Sequence, residues 1–352
     1  MDKKTFSKKI IAWYEENKRS LPWRQTRDPY KIWLSEVILQ QTRIAQGLPY
    51  YLSFVESFPT VKSLARAPED KVLRLWQGLG YYSRARNLHA CAKKIDKDYD
   101  GKFPDSFEEL KKLPGIGDYT AAAIASIAFQ IPVAVVDGNV FRVLARVFGI
   151  EEEITSNKGK TVFKAKANSL IPTDQPDVFN QAMMEFGALH CTPKNPKCQS
   201  CIFTKDCVAN RHEMQSILPV KASKQKVKKR HLNYIVIKQK EKLLMRKRGS
   251  GDIWNGLYDF LLIETKKPVK ASELRKHKKE ISLTINSTIK HYKHVLSHQQ
   301  LIIQFIPATI PAVQLKGIIK KEGLTFYSKK EVEKLPKPIV INRFLKESEF
   351  LN

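Results

Sequence analysis

LPGIGDYTAAAIASIAFQIPVAVVDGNVFRVLARVFG, running from Leu113 to Gly149, is the stretch that decides the fold. It opens on a turn, Pro114-Gly115-Ile116-Gly117, whose two glycines predict backbone conformations that a β-carbon would hinder. An alanine-rich segment follows, which predicts a helix lean enough for another backbone to lie close against it. The apolar run Val133-Ala134-Val135-Val136 then delivers Asp137 to the start of the next helix, Val140 to Phe148. A helix N-terminus behind a glycine turn presents amide N–H groups to an anion. A carboxylate about twenty residues later predicts chemistry beside that anion.

Charge names the class of anion. Lys and Arg number 62 against 35 Asp and Glu, a net charge of +27, which predicts a polyanionic partner, nucleic acid ahead of a membrane surface. No stretch reaches the roughly twenty apolar residues of a membrane span. Met1-Asp2-Lys3-Lys4 leads into an amphipathic helix (Phe6 to Lys18) rather than a signal peptide, so an intracellular protein is expected. Five cysteines are then poor candidates for a disulfide framework. Four of them form Cys191-x6-Cys198-x2-Cys201-x5-Cys207, a metal-binding pattern that zinc and a [4Fe–4S] cluster both satisfy.

Upstream, Leu21 to Tyr30 combines two prolines with Trp23 and Arg24, which suit the wall of a pocket for a planar group. The helix expected over Lys31 to Ala45 carries Glu36 on its apolar side, between Ile32 and Leu39, where desolvation raises a carboxyl pKa. Asp137, at a helix start, is expected to stay ionised through the helix dipole. Two carboxylates pushed in opposite directions would divide acid and electrostatic roles between them. Gly78-Leu79-Gly80-Tyr81-Tyr82 opens a basic helix near Arg84 and offers a ring able to wedge between bases. Phe107 to Lys112, the glycine turn and the helix after it make a helix–hairpin–helix unit near 107–130, with Gly115 and Gly117 at the phosphate. Cys91 reads as a buried small residue.

Composition changes after Pro219. A basic linker, 221–230, separates a helical domain, 1–220, from an α+β domain, 231–352. In the latter, strands are expected at Tyr234–Lys238, Leu243–Arg246, Tyr258–Ile263 and Gln300–Ile306, and helices at Ser272–Lys279 and Lys329–Leu335.

These residues carry a resemblance. LPGIGDYTA, VDGN and the cysteine loop resemble the helix–hairpin–helix DNA glycosylases, whose loop, here 191–207, binds a [4Fe–4S] cluster. LPWR at Leu21 to Arg24, SEVILQQT at Ser35 to Thr42, and GLGYYSRARNL are similar to the adenine-specific branch, which removes adenine mispaired with 8-oxoguanine or guanine. The C-terminal third resembles, through Trp254-Asn255-Gly256-Leu257 and Val295-Leu296-Ser297-His298, the Nudix-like domain that reads 8-oxoguanine in that branch. Leu296 stands where the family commonly has Phe. The resemblance implies a mainly α fold with this appended α+β domain, and double-stranded DNA holding A opposite 8-oxoguanine or G as partner. It implies Glu36 as proton donor to the base, Asp137 as stabiliser or nucleophile at the sugar, and Tyr119 and Asn139 as positioning groups. Gln41 and Tyr81 would fill or wedge the duplex, while Ser297 and His298 would hydrogen-bond the lesion. A lysine nucleophile marks the related strand-cleaving enzymes at the position of Tyr119, so a monofunctional enzyme is expected. The two-domain layout without a targeting segment leads to the expectation of a bacterial-type cytoplasm, and a monomer is expected. The lysine-rich Ser272 to Ile281 lacks the acidic helix of a Nudix hydrolase. The rival readings are a glycosylase/lyase for oxidised pyrimidines and a non-catalytic DNA-binding protein with structural zinc.

Overall fold

The computed structural model describes residues 2–222, 227–277, 282–296, 298–348 and 350. Helices come first: α1 (Lys3–Asn17), α2 (Pro29–Leu39), α3 (Ile44–Ser57), α4 (Val61–Ala65), α5 (Glu69–Leu75), α6 (Ser83–Asp98), α7 (Phe107–Lys111), α8 (Asp118–Phe129), α9 (Gly138–Phe148), α10 (Asn157–Leu170), α11 (Pro176–Leu189) and α12 (Val208–Arg211). Strands follow: β1 (Lys228–Val236), β2 (Lys238–Gln239), β3 (Lys242–Lys247), β4 (Tyr258–Asp259), β5 (Leu261–Thr265), β6 (Thr284–Ile285), β7 (Lys290–Val295), β8 (Gln299–Thr309) and β9 (Thr325–Ser328). Helices α13 (Leu274–His277), α14 (Ala312–Glu322), α15 (Lys329–Lys334) and α16 (Ile339–Glu347) are interspersed among them.

The chain divides into two compact units, Met1–Arg66 with Asn87–Ser223, and Ala67–Arg86 with Lys224–Asn352. The composition change marks a boundary near residue 220, yet 67–86 group with the C-terminal unit. Specific contacts within that unit explain the grouping. Lys247 pairs with Asp70 at 2.7 Å, and the Arg86 guanidinium donates to the Asn255 carbonyl at 2.7 Å.

In the first unit the helix–hairpin–helix forms as expected, from α7 and α8. Its turn corrects one expectation. Gly115 has a left-handed φ of 74°, and a β-carbon there would sit 2.6 Å from Asn87 Cβ. Gly117 is extended, with φ −94°, and a β-carbon there would meet open space. Only Gly115 is demanded by conformation; Gly117 leaves the mouth of the hairpin clear. No side chain caps α8 at Gly117, so its first amides depend on solvent or a ligand.

Helix α8 packs on α2 through Ala122, Ala123, Ile127 and Ile32. Alanine at 123, fully buried, allows the close approach; a larger side chain there would cost about 1–3 kcal/mol through overpacking. A second core joins α1, α9, α10 and α11, with Phe6, Val143, Phe163 and Phe186 at its centre. The helix expected over Lys31 to Ala45 is instead two, α2 and α3, parted by a turn in which Gln41 is left-handed (φ 54°). Apolar residues continue at helical spacing across the break and mask it. Asp28 caps the start of α2, accepting from the Tyr30 amide at 2.9 Å, with Pro29 at the first helical position.

In the second unit β1 lies between β8, to which it is parallel, and the antiparallel β5; β6 and β7 pair with the other edge of β8. A smaller sheet joins β2, β3 and β4, with β9 also on β3. Strand β1 begins at Lys228, inside the stretch read as linker, because Arg230 there is buried between Asp252 at 2.6 Å and Glu264 at 2.7 Å. The helix expected at Ser272–Lys279 is described only as far as His277. The strand at Lys290–Val295 and helices α14 and α16 escaped the sequence reading.

Candidate active site and metal centre

One cavity of about 610 Å³ in the first unit brings together Trp23, Arg24, Glu36, Tyr119, Asp137 and Asn139. Three helices place them. Glu36 sits one turn before the end of α2, Tyr119 in the first turn of α8, and Asp137 at the N-cap of α9.

Glu36 is buried, and the Tyr119 hydroxyl donates to its Oε2 at 2.5 Å. Burial pushes its carboxyl up to about 7; the Tyr119 hydrogen bond and Arg24 pull down, while Asp137 adds to the rise. Burial thus moves the Glu36 carboxyl up toward neutrality, the direction that its apolar helix face predicts. Burial also raises the Tyr119 phenol well above its ordinary range, so Tyr119 stays a hydrogen-bond donor.

Asp137 departs from expectation. Its Oδ1 accepts from the amides of Asn139 (2.9 Å) and Val140 (2.8 Å), and Oδ2 accepts from Asn139 Nδ2 (2.7 Å). These donors and Arg142 favour the carboxylate, yet desolvation outweighs them and moves its pKa up, not down. The two carboxyls are thus displaced in the same direction. Their difference lies in partners: Glu36 has one phenol, Asp137 three N–H donors at a helix start.

Trp23 is buried edge-on against Tyr51, with ring centroids 5.0 Å apart. Arg24 does not stand free. Its guanidinium makes two bonds to Glu185, at 2.9 and 2.8 Å, and Arg19 makes a second fork to the same carboxylate, at 2.8 and 2.6 Å. Burial would raise Glu185, but the two guanidiniums outweigh it and hold its pKa at about 2. Arg19, Glu185, Arg142 and Met184 also line the cavity and were missed in the sequence. Arg142 lies three residues past Asn139, on the same helix face, and donates to Asn139 Oδ1 at 2.8 Å, Gly187 O at 2.6 Å and Cys191 O at 2.7 Å. That spacing was the available signal. Glu185 gave none beyond a carboxylate in an apolar helix.

The remaining candidates lie elsewhere. Gly115 and Gly117 are at the hairpin, and Gln41 is exposed in the α2–α3 turn. Tyr81 and His298 share a cavity of about 580 Å³ within the second unit. Ser297 falls outside the described residues.

Cys191, Cys198, Cys201 and Cys207 line a further cavity, between α9, the end of α11 and the loop 191–207. N–H groups face three of the sulfurs: Arg146 Nη1 at 3.5 Å from Cys191, the Phe203 amide at 3.4 Å from Cys201, and Gln215 Nε2 at 4.0 Å from Cys198. Burial raises Cys191, Cys207 and Cys201, the last to about 11, so forming thiolates there requires a strongly cationic centre. Among the described residues, no three His, Cys, Asp or Glu side chains converge as a single metal ion would require.

Known proteins are similar to this chain in sequence and in fold. Residues 34–169 match the HhH-GPD superfamily of base excision DNA repair proteins, and 233–347 match the NUDIX domain. An adenine DNA glycosylase of Buchnera aphidicola (subsp. Schizaphis graminum) is 36% identical over 340 residues, covering 95% of this chain and 96% of that protein. The chain belongs to the adenine DNA glycosylases. The human member is 42% identical over 222 residues, spanning 60% of this chain and 41% of its own length. Among solved structures, a thermostable thymine-DNA glycosylase superposes with a TM-score of 0.56 at 30% identity, over 60% of this chain and 97% of that one. A trapped endonuclease III–DNA covalent intermediate superposes with a TM-score of 0.52 over 61% of this chain and 99% of that one, at 23% identity, which speaks to the fold. Membership makes the chain an enzyme that hydrolyses N-glycosyl bonds in base excision repair. Among the described residues, no helix is long and apolar enough to cross a membrane.

Proposed function

We propose that the enzyme excises adenine opposite 8-oxoguanine or guanine in duplex DNA, with Glu36 as general acid and Asp137 at the sugar. The observation that carries the roles is a buried Glu36, held by the Tyr119 hydroxyl, in one cavity with Asp137. A stacked adenine is out of reach, so the nucleotide must be flipped into that cavity. Glu36 donates its proton to N7 of the base, and the bond from C1′ to N9 breaks with its electron pair moving onto adenine. An oxocarbenium-like sugar remains. Asp137, oriented by Asn139 and the α9 amides, faces it as stabiliser or nucleophile until water attacks C1′. Tyr119 holds Glu36 and, lacking an amine, forms no Schiff base, so strand cleavage is not expected from this site.

The hairpin fits a phosphate, through Gly115 and Gly117 and the uncapped amides of α8. Gln41, at the exposed turn after α2, would fill the space left in the duplex. Tyr81 and His298, lining one cavity, support assigning the second unit to the base opposite adenine; Ser297 keeps the role that the family resemblance gave it. The four cysteines suit a [4Fe–4S] cluster better than zinc: their thiols surround a cavity rather than a point, and N–H groups face the sulfurs. Such a cluster would cross-link the loop 191–207 through its four thiolates, from Cys191 just past the end of α11 to Cys207 at the start of α12.

Incubation with duplexes carrying A opposite 8-oxoguanine, G or T, then alkali, tests the reading. Cleavage at the first two and little at the third is expected; equal cleavage of all three would sink it. Asp137→Asn should lose most adenine release, and a fully active variant would reduce Asp137 to a helix cap.

A further inference from the structure

Two aromatic residues of the second unit hold a backbone conformation that bulky side chains rarely adopt. Tyr81 has φ 46° and Trp254 φ 62°, and both line the cavity of about 580 Å³ that also holds His294 and His298. Strain of this kind persists only where surrounding bonds over-determine it, and it gathers at ligand sites. Around Trp254 those bonds are present. Three consecutive carbonyls are held: Ile253 O by Arg248 Nε at 3.0 Å, Trp254 O by the Leu257 amide at 3.0 Å, and Asn255 O by Arg86 Nη1 at 2.7 Å. Asp252, two residues before the tryptophan, is locked by Arg230 at 2.6 Å and Arg248 at 2.8 Å. Gly256 follows with φ 80°, where a β-carbon would lie 3.1 Å from Leu73 Cδ1. The indole is itself largely buried and packs near His294, with ring centroids 5.9 Å apart.

Burial of the indole alone does not require this: packing can hold a tryptophan without a left-handed backbone or the bonds that fix it here. A loop clamped at three carbonyls to keep one indole in a cavity wall is a device for placing a flat surface. We infer that Trp254 is a specificity-determining residue, the rigid wall that sets the plane of the purine opposite the excised adenine. The inference rests on the reading that this cavity takes that purine. Stacking is blind to the difference between guanine and 8-oxoguanine, since both present a π-face. The lesion differs at its edge, with an oxygen on C8 and a proton on N7. A fixed ring plane is what lets groups at the cavity rim, such as His298, meet that edge in one geometry. Loss of the wall should therefore reduce discrimination more than catalysis itself.

The test measures single-turnover adenine release from A·8-oxoguanine and A·G duplexes by the full chain, as wild type, Trp254→Phe and Trp254→Ala, with thermal melts to establish folding. Excision opposite 8-oxoguanine should fall further than excision opposite G, compressing the ratio of rates about fivefold or more in Trp254→Ala and less in Trp254→Phe. A wild-type ratio retained by a folded variant would overturn the inference. So would an equal fractional loss on both duplexes, which marks a merely structural tryptophan. Trp254→Phe decides the matter if the alanine variant does not fold. A wild type with no preference between the duplexes would instead remove the lesion reading, and the wall with it.

Discussion

Replacing Glu36 with Gln should abolish adenine release and stabilise the protein at alkaline pH, and the two effects have one cause. The folded carboxyl titrates near 7 against an ordinary value of 4.5 because burial withholds water from its charged form. A group whose pKa is higher folded than unfolded binds more protons in the native state. Its cost therefore appears as pH rises above about 4.5 and is complete above 7. At about 1.36 kcal/mol per pH unit, the difference is about 3 kcal/mol in full and roughly 2.5 kcal/mol between pH 5 and pH 8.5. Glutamine keeps the shape and still accepts the Tyr119 hydroxyl, but has nothing to ionise. Urea unfolding of wild type and Glu36→Gln at both pH values gives a double difference in which the other titrating groups largely cancel. The wild type should lose about 2–3 kcal/mol more than the variant on going to pH 8.5. Single-turnover release from an A·8-oxoguanine duplex should fall by a factor of about 100 or more in the variant, with binding retained. Equal pH dependence of stability in both proteins would show that Glu36 is not a buried acid. Normal release by the variant would remove it from the mechanism altogether.

Other outcomes follow from the same geometry. Wild-type single-turnover rates should decline as pH rises through about 7, where Glu36 loses its proton, and Tyr119→Phe, by deleting the donor that lowers that pKa, should move the decline to higher pH; a limb that does not move would deny the coupling. Glu185→Gln weakens the anchor of two guanidiniums at a fully buried site and should cost about 3 kcal/mol at neutral pH. The contribution of Glu185 is present above about 4.5 and lost as pH falls toward 2, so the destabilisation should shrink in acid; a pH-independent difference would contradict this assignment. The hairpin glycines separate fold from binding: Gly115→Ala should lower the melting temperature, whereas Gly117→Ala should leave it unchanged and weaken duplex binding in a fluorescence titration. An unmoved affinity in folded Gly117→Ala would take the hairpin out of the DNA interface.

What the sequence could tell depended on whether the controlling interaction is local. The hairpin, the α9 cap and the cysteine loop are each written in a short run, because turn chemistry, capping and ligand spacing act over a few residues. Glu36 was found through its apolar helix face, since a single helix determines which side of it meets the core. The break at Gln40 to Arg43 was hidden because Ile44 and Leu48 continue the apolar pattern, and the turn is enforced by packing: a β-carbon on Gly47 would lie 2.8 Å from Leu39 Cδ2. Arg24 is legible beside Trp23 as a wall of the cavity, but its carboxylate partner lies 161 residues away, and no local pattern announces it.

Asp137 shows why the direction of a pKa is harder to read than its neighbours. The sequence displays the stabilising side of the balance, a helix start with Asn139 two residues on, and these donors are present as expected. It does not display the opposing side. Desolvation of Asp137 is set by helices that close around the cavity from residues as distant as 23 and 184. Local donors and remote walls compete, and here the walls prevail. The competition suits the reaction. A carboxylate already satisfied by three N–H groups but held in a poorly solvated site gains most when a positive charge forms beside it, which is the event that departure of the base supplies.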